Sequence, residues 1–308
     1  LAIFERERNA LYSVAKNSTV LEAPNGGLVW NRWHFSQNYR FDYLYGTSEL
    51  SIVGTRPKEC VAWNIDGQSV TDNSFSPDGR KLICSTGNQS FELRDVESGS
   101  LIRKIDGRRG VFHPNGKSIA VYKFEKTEIR DAENDKVIHS IDHKSYFNRI
   151  RFNHAGTLLF GCGWDKGHFK VYQLDQSQTG DLADSKFTEI LDDPNGFRSA
   201  AWCPSANKLV WKMYDPVLDK VRVQIRDFDI FLDKPNDKKN EHDLFLNCEE
   251  VAGEFFSVVF AAENRVCVLA KDADLEILLQ LWDTESNSMI REANGVFLHP
   301  ISSSPNGK

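Results

Sequence analysis

The chain has 308 residues, a formal net charge of −6 and a 40% share of hydrophobic residues. This composition can supply a large core. A protein that binds the phosphate backbone of a nucleic acid needs clustered positive charge, whereas lysine and arginine are scattered here. No apolar run approaches the roughly 20 residues of a membrane span. We therefore predict neither a nucleic-acid partner nor a membrane segment.

Three short apolar segments in residues 1–25 predict strands at 1–4, 10–15 and 19–23. They lack the turn that opens later segments, and residues 295–308, which contain Ser-Pro-Asn-Gly, supply it. We predict that these two ends share one sheet, which closes the chain and removes exposed sheet edges.

Residues 26–67 are rich in aromatic residues, with seven between Trp30 and Tyr45. Such a set could line a ligand site, but aromatic residues are also common on packed strand faces. We favour packing, and we expect a strand at 61–66.

A short pattern occurs twice between residues 74 and 141. The first copy has Phe-Ser-Pro-Asp-Gly at 75–79 and Leu-Arg-Asp-Val-Glu-Ser-Gly at 93–99. The second has Phe-His-Pro-Asn-Gly at 112–116 and Ile-Arg-Asp-Ala-Glu-Asn at 129–134. The turn glycines Gly79 and Gly116 lie 37 residues apart. Short strands with Gly and Asn turns at this period indicate a repeat array.

Three further copies follow, of which the third copy keeps the register and the last two have a longer spacing. A third copy opens at 151–156, and two more close at 223–227 and 279–284. The longer spacing comes from insertions rich in polar and turn residues, which we expect to form loops outside the packed strands. These insertions lie at 176–185, 214–220 and 228–242.

The repeated turns, together with Leu-Trp-Asp at 281–283, resemble the WD-repeat propellers. The resemblance implies an all-β fold, a β-propeller of seven four-stranded blades forming one domain over residues 1–308. Its ring would be closed by pairing of the N- and C-terminal segments. The expected blades are 1–25 plus 295–308, 26–67, 68–106, 107–141, 142–190, 191–250 and 251–294.

One expected blade keeps more of the family pattern. His143 lies nine residues before Phe152, Asp165 follows in a tight turn, and Tyr172 stands where the family has a strand Trp. The resemblance implies that His143, Asp165 and Tyr172 form a partial structural network. A His with an Asp could also act as a general base. No Ser or Cys nucleophile has a recognisable setting beside them, so we favour the structural role.

Six cysteines include no Cys-x-x-Cys pair, and most occupy apolar, strand-like settings. We interpret them as buried reduced thiols rather than disulfides or metal ligands, which favours a reducing, cytoplasmic compartment. The cysteines are Cys60, Cys84, Cys162, Cys203, Cys248 and Cys267.

Enzyme signatures are not recognisable in the sequence. There is no Gly-x-Ser-x-Gly elbow, no His-Glu-x-x-His zinc helix and no phosphate-binding loop ending in Gly-Lys-Ser/Thr. We therefore predict no catalytic residues, no metal site and no cofactor.

The leading hypothesis is a non-catalytic scaffold that presents a rigid propeller face to a protein or peptide partner. Family analogy places several loops on one face, and exposed aromatic residues there would serve as interface anchors. Trp164 is the first choice, whereas Phe197 and Phe255 equally fit core positions at strand starts. The predicted partner-binding residues are Lys144, Tyr146, Trp164, Asn195, Phe197 and Phe255.

Two alternatives stay open. The chain could be the regulatory or recruiting part of a larger enzyme, or a propeller that binds a small molecule. A periplasmic propeller of the TolB kind shares Phe-Ser-Pro-Asp-Gly, although the pattern at 94–99 and the cysteines favour the WD type. The oligomeric state, the identity of the partner and its pathway are left open.

Overall fold

The computed structural model shows a chain built of short antiparallel strands, so the all-β prediction is confirmed. It describes seven strands within residues 2–64, followed by residues 72–85, 89–163, 169–175, 186–233, 243–246, 255–271 and 277–294. Side chains are described only for residues from 73 onward.

The chain divides into two compact units, Leu1–Arg32 with Asn195–Lys308, and Trp33–Pro194. We call the first the terminal unit and the second the middle unit. The single domain expected over residues 1–308 stays a prediction.

The terminal unit begins with three strands, close to the segments that their apolar character predicted. They form an antiparallel sheet in the order β1-β2-β3. The strands are β1 (Ala2–Glu5), β2 (Ala10–Ser13) and β3 (Ser18–Glu22).

The described strands of the middle unit form four four-stranded antiparallel sheets. The first sheet contains β4 (Trp33–Phe35), β5 (Phe41–Leu44), β6 (Glu49–Val53) and β7 (Cys60–Asn64). The second contains β8 (Asp72–Phe75), β9 (Lys81–Ser85), β10 (Ser90–Asp95) and β11 (Leu101–Asp106). The third contains β12 (Arg109–Phe112), β13 (Ser118–Lys123), β14 (Lys126–Asp131) and β15 (Val137–Asp142). The fourth contains β16 (Arg149–Phe152), β17 (Leu158–Cys162), β18 (Phe169–Asp175) and β19 (Lys186–Asp193).

Two further four-stranded sheets belong to the terminal unit. One contains β20 (Gly196–Trp202), β21 (Lys208–Asp215), β22 (Lys220–Asp227) and β23 (Leu244–Phe245), with helix α1 (Phe228–Asp233) after β22. The other contains β24 (Phe255–Ala262), β25 (Arg265–Lys271), β26 (Ile277–Asp283) and β27 (Ser288–Asn294). In each described four-stranded sheet, strands that follow one another in the sequence pair antiparallel.

The predicted count of seven four-stranded blades is wrong. Five four-stranded sheets lie between Asp72 and Asn294 and one covers Trp33–Asn64, but the N-terminal sheet has three strands. The strand expected to complete that sheet lies in 295–308, outside the described residues. Closure of a ring therefore stays a prediction.

The repeated turn joins the first and second strands of successive sheets. Gly79 adopts a φ of 71°, and its amide donates to the Ser76 carbonyl oxygen at 2.8 Å. Gly116 has the same φ and donates to the His113 carbonyl oxygen at 2.9 Å. Glycine takes this left-handed conformation without a Cβ penalty, which is why the pattern repeats Asp-Gly or Asn-Gly.

The core lies between the faces of successive sheets. In the middle unit, one cluster joins the second and third sheets through residues such as Phe91, Phe112 and Val121. Another joins the third and fourth sheets through Tyr122, Phe147 and Ile150. Alternating strand residues point into these layers, and burial of their apolar surface is the main stabilising contribution.

The third strand of several sheets carries a charged variant of the Leu-Trp-Asp pattern. On β14, the Arg130 Nε donates to a Glu128 carboxylate oxygen at 2.9 Å, and both side chains are at least nine-tenths buried. On β26, the equivalent residues are Gln280 and Trp282, whose indole Nε1 donates to the amide oxygen of Gln280 at 3.1 Å. Arg130 and Glu128 on β14 thus occupy the positions that Trp282 and Gln280 occupy on β26.

Two insertions differ from the predicted loops. Residues 214–220 are largely a hairpin, because β21 runs to Asp215 and β22 begins at Lys220. The insertion at 228–242 begins with α1, where Phe228 is fully buried and contacts Trp202 at a centroid distance of 5.5 Å. Residues 176–185 lie outside the described part of the chain.

Four cysteines have described side chains, and all four are buried free thiols, as predicted. Burial raises the pKa of Cys267 to about 12. These residues are Cys84, Cys162, Cys203 and Cys267; the side chains of Cys60 and Cys248 lie outside the described residues.

Candidate interaction site

The turn between β13 and β14 breaks the usual rule for a tight hairpin. Lys123 pairs with Lys126, so Phe124 and Glu125 form a two-residue turn. Phe124 has a φ of 25° and is 51% exposed. A positive φ in such turns favours Gly, Asn or Asp, because a Cβ is strained there. A bulky aromatic residue is therefore held in an unfavourable backbone conformation at the surface.

Two residues from other loops pack against this aromatic side chain. The Arg108 guanidinium lies 4.3 Å from the Phe124 ring centroid and 5.5 Å from that of Tyr146. It also donates a 2.8 Å hydrogen bond to the Tyr146 hydroxyl. The two rings lie 5.9 Å apart, and Tyr146 is 38% exposed. We call Arg108, Phe124 and Tyr146 the aromatic platform.

A buried tyrosine fixes both loops that carry the rings. The Tyr122 hydroxyl donates to the Phe124 carbonyl oxygen at 3.0 Å and accepts from the Phe147 amide at 2.9 Å. Its side chain is 1% exposed, and this burial raises the pKa of Tyr122 to about 12. The hydroxyl therefore stays protonated and joins the hairpin turn to the loop at 143–148.

His143 forms the second buried support. Its Nδ1 lies 3.1 Å from the Ser145 carbonyl oxygen, and its Nε2 lies 3.0 Å from the Thr127 hydroxyl. Because a carbonyl can only accept, Nδ1 carries the proton and Nε2 accepts from Thr127. The ring stacks on Tyr122 at a centroid distance of 5.7 Å. Burial lowers the pKa of His143 to about 4, so the imidazole is neutral at physiological pH.

A close approach to Gly161 completes this support. A Cβ added at Gly161 would lie 2.5 Å from the ring of Phe147, so the absence of a side chain lets that ring pack against β17. Phe147 is 2% exposed and also contacts His143 at a centroid distance of 4.3 Å. Tyr146 thus lies between Ser145, whose carbonyl oxygen accepts from His143, and Phe147, whose ring packs against β17.

An open cleft with a volume of about 960 Å³ adjoins the platform. Its lining comes from the β13–β14 turn, the loop at 142–146, and strands β18 and β19. The lining residues are Lys123, Phe124, Glu125, Lys126, Asp142, His143, Lys144, Ser145, Tyr146, Lys170 and Glu189.

The structure brings two of the predicted partner-binding residues to this cleft. Lys144 and Tyr146 both line it, and both are exposed. Asn195 lies in the terminal unit, in the turn before β20, where its carbonyl oxygen accepts from the Tyr214 amide at 2.9 Å. Phe197 and Phe255 lie on strands β20 and β24, but their side chains, like Trp164, fall outside the described residues.

The predicted network of His143, Asp165 and Tyr172 stays a prediction. His143 bonds Thr127 and Ser145, as described above, and no bond to Tyr172 is present. The Tyr172 hydroxyl is buried without a hydrogen-bond partner among the described residues, and burial raises the pKa of Tyr172. Asp165 lies outside the described residues.

Phe124 and Arg108 were not predicted as site residues. The available signal is Lys-Phe-Glu-Lys at 123–126, a hairpin turn with no Gly, Asn or Asp between two strand patterns. Arg108 gives no comparable signal, because its contact with Phe124 depends on how the turn folds.

Comparison with known proteins adds no family to these observations. The chain matches no family model, and no curated protein matches it at a significant level. Within the described ranges, no helix is long and apolar enough to cross a membrane. The described side chains also contain no cluster of His, Cys, Asp and Glu suited to a metal ion.

Proposed function

We propose that this chain is a non-catalytic interaction module that binds a segment of a protein partner on the aromatic platform. The repeated four-stranded sheets would be propeller blades of the WD-repeat kind, with a ring closed through the chain ends. The free buried thiols fit a cytoplasmic setting.

The observation that carries the proposal is the exposed, strained position of Phe124. A residue outside its preferred backbone region costs about 1–3 kcal/mol and persists where the surrounding structure holds it. Exposing half of a phenylalanine also forgoes the stabilisation that burial would give. Neither feature helps the chain to fold, whereas both place a rigid apolar side chain where a partner can contact it.

The buried residues beneath the platform also favour a role in binding. Tyr122 and His143 are buried, and their hydrogen bonds fix the turn and the loop that carry the two rings. Preorganisation of this kind lowers the conformational entropy lost on binding.

A catalytic role for His143 has little support. Both ring nitrogens are engaged in hydrogen bonds, the side chain is 5% exposed and its pKa is about 4. A general base needs a reachable nitrogen and a pKa near the working pH.

Selection of displayed random peptides on the folded chain tests the proposal. We expect enriched peptides to bind the wild type and to lose binding to Phe124→Ser. The matched control is Leu101→Ser, which removes an aliphatic side chain of similar exposure, 45%, from the same unit. Enriched peptides that bind all three proteins equally, or no enrichment at all, would contradict the proposal.

A further inference from the structure

We infer that His113 is a pH-sensitive switch that joins the third and fourth sheets of the middle unit when neutral and releases them when protonated. It connects the turn at 113–117 to the turn at 153–157. Both turns follow the first strand of their sheet, whereas the loops of the aromatic platform precede that strand or follow the second one. The switch therefore lies at the end of the strands opposite the platform.

The two ring nitrogens of His113 have fixed and opposite roles. The Asn115 backbone amide lies 3.1 Å from Nδ1, and the Gly156 carbonyl oxygen lies 2.9 Å from Nε2. Because an amide N–H can only donate and a carbonyl can only accept, Nδ1 is the acceptor and Nε2 carries the proton. A second proton, on Nδ1, would face the N–H of Asn115 and break that bond. Only the neutral imidazole satisfies both partners.

The His113 ring is enclosed between the two turns. Its side chain is 5% exposed, and its ring meets that of Phe152 edge-on at a centroid distance of 4.7 Å. A Cβ added at Gly156 would lie 2.4 Å from the imidazole, so the two turns approach closely because this residue has no side chain. Burial removes the water that stabilises an imidazolium, and it lowers the pKa of His113 from the ordinary value of 6.5.

The charged groups around the switch do not offset the cost of a buried imidazolium. Arg151 of β16 points to the face of the strand opposite Phe152. The turns at 76–80, 113–117 and 153–157 carry four charged or titratable side chains besides His113, all of them exposed. These are Asp78, Arg80, Lys117 and His154. Within the described residues, the His113 side chain forms no hydrogen bond or ion pair with any of them. Protonation thus buries an unpaired charge, which favours separation of the turns.

The second sheet has a serine at the equivalent position. The backbone amides of Ser76 and His113 each donate to the first residue of the next strand, at 2.8 and 2.9 Å. The Ser76 hydroxyl donates to Asp78 at 2.6 Å and accepts from the Lys81 amide at 2.8 Å, both within its own turn. Because serine does not titrate in this range, the chain itself supplies a pH-independent counterpart.

Release of His113 would uncover apolar surface between the sheets. Phe152, which the imidazole contacts, belongs to the cluster that joins the third and fourth sheets. The joined form is favoured above pH 6.5, and this preference is lost as the pH falls below 6.5 toward the lowered pKa. Over that range, each pH unit favours the released form by up to about tenfold.

Hydrogen exchange with mass spectrometry tests the inference on the full chain between pH 7.5 and 5. Protection is the exchange rate of an unstructured segment divided by the observed rate at the same pH. We expect segments 111–118 and 152–158 to lose protection by up to about tenfold per pH unit below 6.5. Segment 75–81, which contains Ser76, should lose less. The response of His143 appears in a different segment, 143–148.

Two variants copy residues that the chain already uses at this position. His113→Ser copies Ser76, and His113→Asn copies Asn153 of the fourth sheet. Each should have lower protection in segment 152–158 at pH 7.5, because the Gly156 carbonyl loses its donor, and no additional loss in acid relative to segment 75–81. The matched control is His154→Gln, at an exposed position on the same turn, which should keep the wild-type response. Thermal melts establish that each variant folds.

NMR of the wild type labelled with ¹⁵N-histidine gives a measurement that needs no variant. At pH 7.5, His113 should carry its proton on Nε2. A proton on Nδ1, equal losses of protection in segments 75–81 and 152–158, or a wild-type response in a folded His113 variant would overturn the inference. If neither variant folds, the wild-type segments and the NMR result still decide it.

Discussion

Protonation of His143 should destabilise the folded chain in mildly acidic solution. The buried imidazole has a pKa of about 4, compared with 6.5 for an unperturbed histidine. Since a pKa difference of 1 corresponds to about 1.4 kcal/mol, the neutral form contributes about 3 kcal/mol of stability. The unfolded chain takes up the proton first, so this stability is fully present above pH 6.5 and is lost as the pH falls toward 4.

The assay is urea unfolding followed by tryptophan fluorescence at several pH values between 7.5 and 4. The free energy of unfolding of the wild type should fall with a slope of up to about 1.4 kcal/mol per pH unit from this residue alone. His143→Gln should have lower stability at neutral pH and a shallower slope.

A second histidine makes the variant comparison necessary. Burial also lowers the pKa of His113, which therefore adds to the wild-type slope in the same direction. The difference between wild type and His143→Gln isolates His143, and His154→Gln, at an exposed position, is the control. Parallel curves for wild type and His143→Gln between pH 6.5 and 4 would refute this account of the buried support.

Three further predictions concern packing and burial. Arg130→Met leaves the buried Glu128 without its guanidinium, and urea unfolding should show a loss of about 3–5 kcal/mol. Glu128→Gln with Arg130→Trp, which copies the pair on β26, should cost less, and an equal or larger cost would contradict the equivalence. Gly161→Ala forces its Cβ against Phe147 and should lower stability by about 1–3 kcal/mol, with an unchanged melting temperature as the contrary result. The Cys267 thiol, with a pKa of about 12, should resist iodoacetamide at pH 8 until urea unfolds the chain; labelling of the folded protein would show that it is accessible.

The repeated sheets were predictable because a few residues adjacent in the sequence determine each turn. A glycine after Asp or Asn fixes the hairpin between the first two strands, and the short apolar run that follows it forms a buried second strand. The turns lie at 75–79 and 112–116, and the apolar runs after them form β9 and β13. No local pattern determines the number of blades. The predicted count of seven was based on chain length and on a strand expected from residues 295–308.

Hydrophobic periodicity could not predict the short helix α1 after β22. Six residues span less than two turns, too few to distinguish a helical pattern from a loop. The polar and turn-forming residues at 233–242 favoured a loop for the whole insertion, whereas Phe228 is buried against Trp202 at the start of the helix.

Of the three platform residues, Tyr146 alone was predicted from the sequence, together with the neighbouring Lys144. Lys144 and Tyr146 lie in a loop that family resemblance places on a binding face. Phe124 was missed because its strained turn contradicts the residue preferences on which turn prediction depends. Arg108 contacts both rings only once the three loops are assembled, and no local pattern encodes that contact.

The affinity of one selected peptide tests the central claim most directly. Isothermal titration calorimetry would compare the wild type, Phe124→Ser, Tyr146→Ser and the control Leu101→Ser, each folded to the same extent. We expect each platform variant to weaken binding by at least 1 kcal/mol, about fivefold or more, and the control to match the wild type. Unchanged affinity in both platform variants would contradict the assignment of binding to this surface.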